Sequence, residues 1–79
     1  MKEDRDFGYN EIEAFELVQK YEELIRQKKN FFFDVIEFEV IINYYLDNEE
    51  HLNAADAINA AIGMHPYSSE IQLLKAELF

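Results

Sequence analysis

Residues 30–50, NFFFDVIEFEVIINYYLDNEE, decide the fold. Three phenylalanines lead into a run of β-branched and aromatic residues, and two readings compete for it. A strand accounts for the alternation from Glu37 to Val40, but the alternation fails on both sides, at Val35-Ile36 and again from Ile41 to Leu46. A helix accounts for more: Val35, Phe38, Ile41, Ile42 and Tyr45 recur at helical spacing, on one face. The β-branched residues cost a few tenths of a kcal/mol each in helix propensity. Burying a large apolar side chain contributes roughly 1.5–3 kcal/mol, so packing outweighs propensity. The start of the helix is marked as well. Asp34 stands at the N-cap with Glu37 three residues on, a capping box, and Phe33 and Phe38 stand at the two positions of a hydrophobic staple. The phenylalanine run therefore reads as the approach to a helix.

Working outward, Asn10 and Glu13 form a second capping box, followed by an apolar stripe of Ile12, Phe15, Val18, Tyr21, Leu24 and Ile25. Glu11 and Glu13 near the start of this helix and Lys28 and Lys29 near its end suit its dipole. Asn30 is expected to close it in the left-handed region. A third helix is predicted from about Glu50 to Met64, with Ala54, Ala57, Ile58, Ala61 and Ile62 along one face and Pro66 ending it. Ser68 can cap a fourth, SEIQLLKAELF. Only two glycines and one proline punctuate the chain, too few for an all-β domain with many tight turns. The expectation is one all-α domain over 1–79: a flexible start at 1–9, an N-terminal capping helix at 10–29, then antiparallel hairpin packing, about four helices in all.

Seventy-nine residues allow one small domain. Apolar residues at 49% are enough for a packed core. A net charge of −10 opposes binding to nucleic acid and to anionic membrane surfaces. There is no cysteine, hence no disulfide framework and no thiolate chemistry. The opening MKEDRDFGYN lacks the apolar stretch of an export signal, and no apolar run approaches the roughly 18–20 residues of a membrane span, so a cytoplasmic location is expected.

The candidate caps Asp34 and Ser68 stand 34 residues apart, which prompts a search for a helical repeat. Phe38, Ile41, Ile42, Tyr45, Ala54, Ile58 and Pro66 follow the offsets of the tetratricopeptide pattern, with Ala61 as a further small residue. Residues 35–68 thus resemble one complete tetratricopeptide repeat, and 69–79 would be the first helix of a second. The order of the segments is similar to the front of longer bacterial proteins of that family. Within 35–68 two positions depart from the pattern: Ile42 stands where a small residue is usual, and Glu49 where the inter-helix glycine is usual, leaving Asn48 as the expected positive-φ residue; outside it, Gln72 and Lys75 stand where the second repeat's aromatic and leucine belong, and Lys20 at the small-residue position of the first helix. The resemblance implies a fragment of a right-handed αα-superhelix whose first helices line a concave groove. In this sequence the groove positions would be Ile36, Glu39, Val40, Asn43, Glu70, Leu73, Leu74 and Glu77. Asn43 matches an asparagine with which chaperone-binding members hold a partner's C-terminal carboxylate. Glu39 stands where their lysine would be, which disfavours carboxylate capture.

Motifs for chemistry are sparse. Neither His51 nor His65 has an acidic residue three positions before it, so the Glu-x-x-His signature of helical di-metal sites is missing. There is no Gly-rich phosphate loop and no Gly-x-Ser-x-Gly. Adjacent pairs such as Glu22-Glu23 do not converge on a helix. The charge pattern says more: residues 30–74 contain no Lys or Arg but eight acidic residues. Such a face is either a solubilising surface or one that steers a basic partner. The expectation is a non-catalytic protein-interaction scaffold without cofactor or metal, taking an apolar protein or peptide segment that bears Lys or Arg. Two alternatives are a capping module at the front of a longer solenoid and a small carboxylate-rich metal binder. The apolar residues of the fourth helix also raise the expectation of homo-oligomerisation through that helix.

Overall fold

The computed structural model describes residues 9–78; the expected flexible start, apart from Tyr9, and the position of Phe79 lie outside them. Four helices follow in order among the described residues: α1 (Glu11–Arg26), α2 (Val35–Asp47), α3 (His51–Met64) and α4 (Ser69–Leu78), with no strand. The fold is all-α, and each helix packs against the next.

Both capping boxes form. The Glu13 amide donates to the Asn10 side chain at 2.8 Å and the Asn10 amide to the Glu13 carboxylate at 3.1 Å. Asp34 and Glu37 exchange the equivalent pair at 2.8 and 2.9 Å. The staple closes too, with the Phe33 and Phe38 rings 5.8 Å apart and nearly edge to face. Phe31 and Phe33 both meet Tyr21 of α1, whereas Phe32 is turned outward against His65. At α4 the Ser68 hydroxyl accepts from the Ile71 amide, as an N-cap should.

The C-terminal ends differ from expectation. α1 stops at Arg26, where a helix over 10–29 was expected, and the left-handed residue is Lys28 (φ 56°), not Asn30. The Lys28 amide donates to the Ile25 carbonyl and the Lys29 amide to that of Leu24, which together make a Schellman motif. α2 closes in the same way. Glu49 (φ 59°) takes the left-handed position, its amide on the Leu46 carbonyl and that of Glu50 on the Tyr45 carbonyl. Asn48 has an ordinary negative φ and turns its side-chain amide back to the Tyr44 carbonyl. Glu49 thus takes a left-handed conformation that glycine adopts more readily. Left-handed geometry costs an L-residue roughly 1–2 kcal/mol, partly offset in glycine by extra unfolded-state entropy. Glu49→Gly is therefore expected to stabilise the fold by about 1 kcal/mol, raising the thermal midpoint by about 4–8 °C. A midpoint that stays put or falls would show that the turn carries no such strain.

Packing centres on α2, which contacts all three other helices, while among the helices α1 touches α2 alone. Phe38, Ile41 and Ile42 of α2 and Ala54, Ala57, Ile58 and Ala61 of α3 are fully buried. The small side chains of α3 let its backbone approach its neighbours closely. Tyr45 is buried to its hydroxyl, which donates to the Glu22 carboxylate of α1 at 2.5 Å. Burial first, and that hydrogen bond second, push the Tyr45 hydroxyl pKa up.

The α1 stripe is only half used. Val18 and Tyr21 are buried and Leu24 partly so, but Ile12 is 70% exposed, and Phe15 and Ile25 are about half exposed. Steps of three residues fall short of a full turn and drift about 60° each around a helix of 3.6 residues per turn. The stripe therefore winds off the face that meets α2, and Leu17, which it omits, takes a core position.

Candidate functional site

The eight expected groove positions lie on two helices that pack together, α2 and α4. At about 100° per residue, Ile36, Glu39, Val40 and Asn43 share one side of α2, and Glu70, Leu73, Leu74 and Glu77 share one side of α4. Burial divides them. Val40, Asn43 and Leu74 lie below the surface, each under 9% exposed, and form the floor. Asn43 is engaged in an interaction of its own. Ile36 and Leu73 stand open, at 50% and 66% exposure, as an apolar residue on either side. Glu70 and Glu77 are exposed, and Glu39 is half-buried between floor and solvent.

Glu39 is the informative group. Its carboxyl pKa is raised, first by burial and then by the negative charge of Glu70 across the α2–α4 seam. The two carboxylates therefore feel one another. Beside these positions the Ser68 hydroxyl donates to the Glu70 carboxylate at 3.1 Å. Among the described residues no three His, Cys, Asp or Glu side chains are grouped to hold a metal ion. No described helix is long and apolar enough to cross a membrane.

Two other polar features stand apart from the groove. His65, just after α3, places Nε2 2.7 Å from the Phe33 carbonyl, so Nε2 carries the proton and donates. Its ring lies 5.4 Å from that of Phe32 and 6.0 Å from that of Phe38. It ties the end of α3 to the segment before α2, a contact 32 residues long that no local pattern could reveal. A concavity runs along α1, lined by Tyr9, Glu13, Glu16, Leu17 and Lys20. Burial raises the Tyr9 hydroxyl pKa there, with Glu37, Asp34 and Glu13 adding to it in that order.

Comparison with protein-family models, with curated proteins and with solved structures returned no match.

Proposed function

We propose that this chain is a non-catalytic protein-binding module of tetratricopeptide type, taking an apolar segment that carries Lys or Arg against the α2–α4 face. The observation that carries this reading is the Glu39–Glu70 pair. Glu70 of α4 adds to the rise of the half-buried Glu39 carboxyl of α2, so two like charges from different helices interact, and exposed Ile36 and Leu73 lie on the same two helices. A cation placed there would relieve a repulsion the folded chain already bears, while the flanking residues would gain apolar contact. The repeat register is supported by the burial of Phe38, Tyr45, Ala54 and Ala61 and by the packing of α2 on both α3 and α4. A capping module at the front of a longer solenoid is the second reading, favoured by the exposure of Leu73 on the last described helix.

The test is titration of the chain with an amphipathic helical peptide whose leucines recur at helical spacing beside lysines. Glu39→Lys is expected to weaken binding by about three- to tenfold, the scale of reversing one partly exposed ion pair. The association rate of the original chain should fall as salt rises, since exposed charges are screened over about 8 Å at physiological ionic strength. A salt-independent rate together with unchanged affinity in Glu39→Lys rejects the reading.

A further inference from the structure

The α2–α4 face has a counterpart on the same molecule. At the end of α1 and along the link to α2, residues 25–30 are all exposed, and Phe32 is 68% exposed. This stretch, IRQKKNFF, holds Arg26, Lys28 and Lys29 between two exposed apolar residues, Ile25 and Phe32. Arg26 pairs with Glu23, but Lys28 and Lys29 have no ion-pair partner among the described residues. Nor is the stretch loosely held. The amides of Lys28 and Lys29 are both bonded in the Schellman turn, so the two cations project from a fixed backbone, which needs no further ordering on binding.

The cations cannot serve the acidic face of their own molecule through helix packing, because α1 does not contact α4. Among the described residues, the Glu39 carboxyl is shifted by burial and by Glu70, both of which raise its pKa, and by no cation. One surface is therefore acidic with exposed Ile36 and Leu73. The other is basic with exposed Ile25 and Phe32. The net charge of −10 repels at long range. Physiological salt screens that repulsion beyond about 8 Å and leaves the contact charges to decide.

We infer that the occupant of the α2–α4 face is a second copy of this chain, which presents Ile25, Lys28, Lys29 and Phe32 to Ile36, Glu39, Glu70 and Leu73. This rests on the binding reading above and adds the identity of the partner. Because the two surfaces differ, the contact is head to tail. Every bound copy leaves one face of each kind open, so growth proceeds past the dimer into chains or rings.

Two double variants at exposed positions test it: Glu70→Lys/Glu77→Lys disables the acidic face, and Lys28→Glu/Lys29→Glu disables the basic one. Circular dichroism checks that each folds, and sedimentation at physiological salt reads the mass. The original chain is expected to gain mass with concentration beyond twice the monomer. Each variant alone should remain a monomer, and an equimolar mixture should give a one-to-one complex of twice the monomer mass and no larger species. A monomeric original chain at millimolar concentration overturns the inference, as does a mixture with no complex or a variant that still assembles alone. If the original chain stays monomeric yet binds the lysine-bearing peptide, the binding module stands and only self-recognition falls. Failure of both removes the two together.

Discussion

Phe38→Ala is expected to lower stability by about 3–5 kcal/mol, the range for emptying a fully buried aromatic site. Phe38 has no exposed surface, and its ring lies within 6.5 Å of those of Tyr21, Phe33 and His65. It thus joins α1, the approach to α2 and the end of α3 in one cluster. A domain of this size is worth roughly 4–12 kcal/mol in total, at about 0.05–0.15 kcal/mol per residue. The variant should lose a large part of that, and its thermal midpoint should fall by at least about 12 °C. A midpoint near that of the original chain would mean that the cluster is not the core and that the repeat register is misplaced.

The second large effect runs the other way in volume. Ala61→Leu adds a branched side chain where α3 meets its neighbours with no exposed surface left. Overpacking of this kind costs about 2–3 kcal/mol, because either the helices separate or side chains leave their preferred rotamers. Asn59→Leu, on the exposed side of the same helix, is the control and should change stability little. Thermal unfolding of the pair separates close packing from a general intolerance of leucine. Equal midpoints would show that the alanines are not there to let the helices approach.

What could be read from the residues followed the range of the interactions. The caps at Asn10, Asp34 and Ser68 and the Phe33–Phe38 staple each span only a few residues, and all appear as expected. The turn residues were one place off at Glu49 and two at Lys28. Asparagine is the better left-handed former, yet helix length and the Schellman hydrogen bonds decide which residue must adopt that conformation. On α1, spacing alone overestimated the core, because a single contacting helix buries a narrower face than a stripe of six residues covers. The eight expected groove positions fall on α2 and α4, but which of them are buried depends on how deeply α4 seats. That depth is a tertiary property, and it puts Val40, Asn43 and Leu74 out of reach of a partner. The His65–Phe33 contact and the Tyr45–Glu22 bond join distant parts of the chain and leave no signature in either neighbourhood.

The pattern in which each helix packs on its successor also governs how fast the chain can find its fold. Among the described residues, the one helix contact that skips an element is that of α2 with α4, bridged by a single intervening helix. Little loop-closure entropy must be lost before contacts begin to form, and helical domains with such local contacts fold in microseconds to milliseconds. α2 is then the natural nucleus, since every other helix needs it. α1, which gains nothing from α3 or α4 at the helix level, can dock last and detach first, so that the chain has a built-in order of assembly running from its middle outward.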